Sequence, residues 1–448
     1  MKFEFDNLGP IEHGEVELGK LTVFCGRNNT GKTYVSYLIY GFYYYVKEMV
    51  DREIERSKGL YQICEDYTEV DLSVFCKSIP SISRKIEAGL VENLPIVFRT
   101  DEKKFEKCKV KISKKGANSS ITVDCLKRSI LDTVDCFEFM EVEERTENVL
   151  RVYVTKDYRK AVEELYTIFL LRITLIEQIY DLDLCFASVY MLPAERAGLN
   201  MFYKELNVNR NNLVFDMKKD IRLGDLTKRI SKYSLPISEY INLLNEMSEK
   251  KETTIGEEFA TTLEEKIVHG KFTIQNNGTI DFVLNGSKKI DFHLSSSTAK
   301  SLFGLDYILK NEIKKDCTLI IDEPEQNLHP DNQRFIARLL CQLVNAGVNV
   351  IISTHSDYII KELNNLILLG NKFKGYEELM LKYGYEETEL LSKEDVKGYV
   401  FLDNSVEPVE VNEQGMKMDI FDDVINSMNE ASDDIYYTYC EGKENDHE

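Results

Sequence analysis

The eight residues Gly26-Arg27-Asn28-Asn29-Thr30-Gly31-Lys32-Thr33 lie between two apolar runs. Before them stands Leu21-Thr22-Val23-Phe24-Cys25, with the length and composition of a short buried strand. After them comes Tyr34-Val35-Ser36-Tyr37-Leu38-Ile39-Tyr40-Gly41-Phe42, apolar on most sides as a buried helix would be. Strand, glycine-rich loop and helix in this order predict a phosphate-binding P-loop at the start of an α/β unit. Gly26 and Gly31 let the backbone curl so that successive N–H groups face one concavity at the positive end of a helix. Arg27, Asn28, Asn29 and Thr30 complete that loop. Lys32 is placed to reach the outer phosphates as a point charge, and Thr33 to offer its hydroxyl to Mg²⁺.

Far along the chain, Leu319-Ile320-Ile321-Asp322-Glu323-Pro324 has the form of the partner motif, Walker B. Asp322 closes an apolar strand, where its carboxylate would hold Mg²⁺ through water. Glu323, one residue on, is placed to polarise a water attacking the terminal phosphate. The next apolar run, Val350-Ile351-Ile352-Ser353, leads into Thr354-His355-Ser356. A histidine at the C-terminal edge of a strand can hydrogen-bond a γ-phosphate and report its presence.

Composition narrows the class. A chain of 448 residues with 43% hydrophobic and 30% charged residues supports two or three globular domains. No apolar run approaches the roughly 20 residues of a membrane span. The N-terminus opens directly on the alternating strand Lys2-Phe3-Glu4-Phe5, which predicts no signal peptide. Ten cysteines without C-x-x-C pairs predict reduced thiols and a cytoplasmic location. The net charge of −21 argues against non-specific nucleic-acid binding by the chain as a whole. The lysines between Lys103 and Lys115 are interleaved with Glu102 and Glu106 and suit a solvated strand face.

The expected organisation has four parts. Residues 1–45 form the N-terminal part of the nucleotide-binding head, with strands Lys2–Phe5 and Glu15–Leu18 joined through Gly9-Pro10. Residues 46–185 form a mixed, largely helical insertion, with extended segments at Ile96–Phe98 and Val110–Ile112, a turn at Gly116–Asn118 and a long helix near Tyr158–Tyr180. Residues 186–370 complete the head, with a helical segment at about 226–267 and a hairpin flanking Asn276-Asn277-Gly278-Thr279. Residues 371–448 form a small docking or dimerisation module with a strand at Tyr399–Leu402, a helix at Ile420–Ser427 and a disordered acidic tail from Glu441. The β-then-α alternation around Asp322 predicts a mainly parallel sheet, beside an antiparallel β-subdomain.

Asp322-Glu323-Pro324-Glu325 with Leu328-His329-Pro330, and Ser353-Thr354-His355-Ser356 thereafter, resemble the ABC-type ATPases of the SMC, RecF and OLD group. The resemblance covers the first residues through the P-loop and residues 186–370, including Met191-Leu192-Pro193-Ala194-Glu195-Arg196. It implies an ABC-type P-loop head that binds ATP and Mg²⁺. In it Asp322 is the Walker B acid, Glu323 the catalytic base, Gln326 to His329 the D-loop and His355 the switch histidine. It also implies a homodimer, or a higher homo-oligomer, that sandwiches ATP between one chain's P-loop and the other's signature loop. The signature candidate is Leu294-Ser295-Ser296-Ser297-Thr298-Ala299-Lys300. Ser295, Ser296 and Ser297 offer hydroxyls at a helix N-terminus, while Thr298 stands where the family pattern has glycine. Arg196 is open between a phosphate or signalling contact and a structural salt bridge.

Asp181-Leu182-Asp183 has the form of a nuclease D-x-D without the rest of that fold, and the six histidines make no H-N-H arrangement. The reading that the resemblance implies, favoured by the net acidity and the lack of long arms, is a sensor ATPase of prokaryotic antiviral defence that resembles stand-alone OLD-like ATPases and controls a separately encoded effector, often a nuclease. A RecF- or SMC-like DNA-repair ATPase that binds DNA directly is the alternative, and a regulatory ATPase with no nucleic-acid role the third.

Overall fold

The P-loop strand, Leu21–Gly26, lies inside a six-stranded sheet. In order, the strands are Val406–Val409, Val396–Phe401, Leu21–Gly26, Asn349–Thr354, Thr318–Asp322 and Val189–Leu192. The last five run parallel, and Val406–Val409 is an antiparallel edge. This computed structural model describes residues 1–57, 59–114, 121–154, 160–180, 182, 188–217, 233–247, 254–275, 278–285 and 288–445.

Because side chains alternate across a strand, the central strands feed two cores. Phe24, Ile320, Ile351, Tyr399 and Phe401 point to the face covered by the helix Lys32–Arg56, which carries Leu38, Phe42 and Val46. Leu21, Val23, Cys25, Leu319, Ile321, Val350 and Ile352 point to the other face. There they meet Leu302 and Leu305 of the helix Ser297–Asn311, Leu340 of the helix Pro330–Asn345, and Leu363 of the helix Asp357–Gly370. The result is the mixed α/β fold with a mainly parallel sheet that the motifs predict.

Smaller antiparallel sheets flank the centre. Lys2–Leu8 and Ile11–Glu17 form a hairpin whose two-residue turn, Gly9-Pro10, places Gly9 at φ +60. Its third strand, Lys109–Ser113, comes from the predicted insertion, where Lys111 pairs with Glu4 at 3.2 Å. Gly270–Ile274, Ile280–Leu284 and Lys289–Asp291 form a second sheet, with Ile274 opposite Ile280 at the predicted hairpin. The segment expected to be an insertion also holds a four-stranded sheet made of Tyr61–Ile63, Thr68–Asp71, Val149–Val154 and Met140–Thr146.

Three local expectations change. Ile96–Phe98 is not extended: the helix Leu72–Val97, with Pro80 and Pro95 inside, ends within it and Phe98 is its C-cap. Val97 is buried against the P-loop helix, where a β-carbon on Gly41 would come within 2.8 Å of its Cγ2. The C-terminal helix is far longer than Ile420–Ser427, spanning Asp419–Asn445. It therefore takes up Glu441 to Asn445 of the expected disordered tail. The strand Val396–Phe401 is hydrogen-bonded along the whole P-loop strand, with Val396 opposite Leu21 and Phe401 opposite Gly26. Asp181, Asp183, the Gly116–Asn118 turn, Asn276-Asn277, and residues 226–232 and 248–253 of the expected helical segment lie outside the described residues.

Candidate active site

Strand order creates the site. The P-loop strand, the Walker B strand Thr318–Asp322 and the strand Asn349–Thr354 end side by side, so Gly26, Asp322 and Ser353 share one sheet edge. Asp322 and Ser353 are in direct register. Ligands of parallel α/β sheets collect at this carboxyl edge.

Within the loop, Gly26 has φ +137, Asn29 φ +64 and Gly31 φ +104. At Gly26 a β-carbon would lie 2.4 Å from the Phe401 carbonyl oxygen, so the neighbouring strand's backbone demands glycine there. Arg27, Asn28 and Asn29 are exposed, while Thr30 is buried and donates to the Arg27 carbonyl at 2.8 Å. Lys32 begins the helix with its ammonium folded into the loop, donating to the carbonyls of Gly26 at 3.0 Å and Arg27 at 2.7 Å. Burial lowers its pKa, opposed by the charge of Asp322.

Thr33 Oγ1 lies 3.4 Å from Asp322 Oδ2, which joins the two distant motifs directly. The other Asp322 oxygen accepts from the Ser353 hydroxyl. Burial raises the Asp322 pKa, with the Ser353 hydroxyl opposing. Thr33 and Asp322 supply the hard oxygen donors that suit Mg²⁺, which keeps most of its waters and leans on substrate phosphates. Among the described residues no group of three or more His, Cys, Asp or Glu forms a metal cage.

Glu323 follows with φ +50. Its Oε1 is 3.9 Å from His355 Nε2, so the expected base and switch histidine face each other. Burial lowers the His355 pKa, and Lys32 adds to that shift. The His355 N–H donates to Glu325 at 2.6 Å, tying the two strand-end loops together. Burial raises the pKa of Glu325.

The signature candidate is divided. Ser295 turns inward, donating to the Phe292 carbonyl at 2.6 Å. Ser296 and Ser297 are exposed, and the Ser296 hydroxyl caps the helix by accepting from the Ala299 N–H at 3.1 Å. Thr298 donates to the Asn327 carbonyl at 2.9 Å, and Ser301 to that of Gln326 at 3.2 Å. This helix is thus fastened to Gln326 and Asn327, in the segment expected to be the D-loop, of its own chain. These two contacts, the Ser353 hydroxyl and the Glu325 carboxylate were not singled out from sequence. Only Ser353 carried a signal, a hydroxyl ending the strand next to Walker B.

The sequence matches the AAA ATPase domain family over residues 1–360. The chain belongs to that family. No curated protein matches this AAA ATPase. Solved structures that match include the SMC head domain from Thermotoga maritima, at 11% identity and a TM-score of 0.33, covering 92% of this chain and 98% of that one. The Smc head domain with an extended coiled coil bound to the C-terminal domain of ScpA, derived from Pyrococcus furiosus, matches at 12% identity and a TM-score of 0.31. It covers 96% of this chain and 98% of that one. The recombination mediator protein RecF of the RecFOR pathway matches at 12% identity and a TM-score of 0.29, covering 91% and 97%. Among the described residues, no helix is long and apolar enough to cross a membrane.

Proposed function

We propose that this chain binds ATP with Mg²⁺ and hydrolyses it to ADP and phosphate, using the nucleotide as a conformational switch. The meeting of Thr33 and Asp322 at 3.4 Å carries this reading, because it joins two sequence-distant motifs at one sheet edge. ATP enters the loop Gly26 to Thr33, and the Lys32 ammonium leaves its loop carbonyls for the outer phosphates. Bound Mg²⁺ supplies charge neutralisation at the phosphates, and Thr33 and Asp322 are the residues that would hold it. Glu323 orients the attacking water, and His355 senses the γ-phosphate from the adjacent strand end.

The finer role we propose is a cytoplasmic sensor ATPase of prokaryotic antiviral defence. Two heads close on two ATP molecules, each P-loop facing Ser296 and Ser297 of the other chain, and the closed state governs a separate effector, often a nuclease. The acidic balance of the chain supports a protein partner over nucleic acid. A RecF- or SMC-like role on DNA is the second reading. It draws on exposed Lys103, Lys104, Lys107 and Lys109, which lead into the edge strand Lys109–Ser113.

Steady-state phosphate release from the full chain tests the core proposal. Turnover should disappear in Glu323→Gln with nucleotide binding retained, while Lys32→Ala should lose binding. Wild-type turnover in Glu323→Gln refutes the assignment of the base. Salt-dependent, ATP-stimulated duplex DNA binding would place the second reading first.

A further inference from the structure

We infer that Arg196 is the positioning residue that aims the Glu323 carboxylate, an inference that rests on the hydrolytic reading above. Arg196 is 1% exposed, yet all four of its hydrogen-bond acceptors are backbone carbonyls. Nη1 donates to Asp322 at 2.6 Å and Nη2 to Glu323 at 2.7 Å, with longer contacts to Pro193 and Pro324. A buried cation is costly, and here it is applied to the two carbonyls on either side of one α-carbon. With both terminal nitrogens held by backbone carbonyls and its surface covered, Arg196 is not placed to contact a phosphate, and among the described residues it forms no hydrogen-bonded ion pair.

That α-carbon needs holding. Glu323 sits at φ +50, which a β-carbon disfavours, and it precedes proline, which restricts it further. Two peptide planes determine where its side chain points. The Asp322–Glu323 plane is fixed at its carbonyl by Arg196, and at its N–H by the Ser353 carbonyl at 3.0 Å and hydroxyl at 3.3 Å. The Glu323–Pro324 plane has no N–H, because Pro324 supplies none. Its carbonyl is the sole polar handle, and it accepts from both Arg196 Nη2 at 2.7 Å and the Gln326 backbone N–H at 3.0 Å, of which only the first is a side-chain contact that substitution can remove.

The fold explains why an arginine can do this from position 196. The edge strand Val189–Leu192 runs parallel to the Walker B strand, with Leu192 opposite Ile321. The chain then turns through Pro193 and starts the helix Arg196–Met217 directly beneath the Walker B turn. A planar fork spans two successive carbonyls, whereas a lysine ammonium is a single point.

Full-length Arg196→Lys decides the matter through a split between kinetic constants. Misaiming a base by about an ångström costs on the order of a hundredfold in rate without changing what holds the substrate. The kcat should fall by at least about thirtyfold, with KM and the affinity for a fluorescent ATP analogue within about threefold of wild type. In a Glu323→Gln background the same substitution should change the residual single-turnover rate by less than about twofold, because the group it aims is gone. Near-wild-type kcat in Arg196→Lys, or an equal loss in both backgrounds, overturns the inference. If Arg196→Lys does not fold, Pro324→Gly loosens the same peptide without disturbing the buried charge. It should lower kcat at constant KM, and unchanged kcat there overturns the inference equally. Absence of turnover in the wild-type chain overturns the hydrolytic reading and this inference with it. Wild-type turnover that Glu323→Gln abolishes leaves the behaviour of Arg196 as the only question.

Discussion

Replacing Gly26 by alanine introduces one methyl group at the point where the P-loop and the C-terminal strand touch. The β-carbon would stand 2.4 Å from the Phe401 carbonyl oxygen, a backbone atom that no rotamer change can move aside. Gly26 also sits at φ +137, where an L-residue is strained regardless of space. Strain of this kind costs about 1–3 kcal/mol. Forcing apart a well-packed contact costs about 1–3 kcal/mol more. The sum, about 2–6 kcal/mol, is a large part of the 5–15 kcal/mol typical of a folded domain. The strain can be relieved only by letting Phe401 leave its register with Gly26, which opens the loop floor. Urea unfolding should therefore show a clear loss of stability, and titration with an ATP analogue should show binding weakened by about a hundredfold or more. Gly198→Ala is the control: Gly198 has no heavy atom within 4 Å of the added carbon and lies early in a helix. It should be neutral or stabilising by up to about 1 kcal/mol. A Gly26→Ala protein within about 0.5 kcal/mol of wild type and with unchanged nucleotide affinity would refute the reasoning.

Three further outcomes follow from other parts of the molecule. His355 has a lowered pKa in the fold, so the stability linked to its neutral form is complete above its ordinary value of 6.5 and is lost as pH falls through the folded value. Urea midpoints of wild type and His355→Gln measured from pH 7.5 downward should converge in the acid range, and parallel curves would contradict this. Glu362 is 1% exposed and accepts from Arg338 at 2.5 Å and Arg334 at 2.9 Å. Glu362→Ala leaves the buried Arg338 charge short of its partner and should cost about 3–5 kcal/mol in chemical denaturation. A chain ending at residue 418 should fold and bind nucleotide, because residues 426–439 of the last helix are exposed. A chain ending at residue 395 should do neither, since it lacks a sheet partner of the P-loop strand. Calorimetry and nucleotide titration of the two truncations check both statements.

The parts of the site written into contiguous residues were readable in the chain. Gly26 to Thr33 declares its loop because each of its glycines sits at positive φ, and Asp322 ends an apolar run that could only be a buried strand. The hairpin between Ile274 and Ile280 was legible because turn residues interrupt two alternating runs. Ile96-Val97-Phe98 misled because a short apolar run of two β-branched residues and an aromatic reads the same at the end of a helix as in a strand. The partners of Arg196 are backbone carbonyls, which every residue possesses, so no side-chain pattern could announce them. Thr298 looked like a defect against the glycine of the family pattern. Its hydroxyl donates to the carbonyl of Asn327, a contact that glycine could not make.

The P-loop strand has no neighbour from its own part of the chain. Both flanking strands, Asn349–Thr354 and Val396–Phe401, are made hundreds of residues later. During synthesis, Leu21 to Cys25 leaves the ribosome as an apolar strand with both edges open. At about 5–20 residues per second it waits roughly 20–75 s for Phe401 to appear. Throughout that interval the nascent chain carries an edge prone to pairing with other chains, and its phosphate loop has no floor. A site assembled this late has a built-in checkpoint: a polypeptide that stops before Val396 lacks the strand whose Phe401 carbonyl lies against Gly26, and so lacks one wall of the loop.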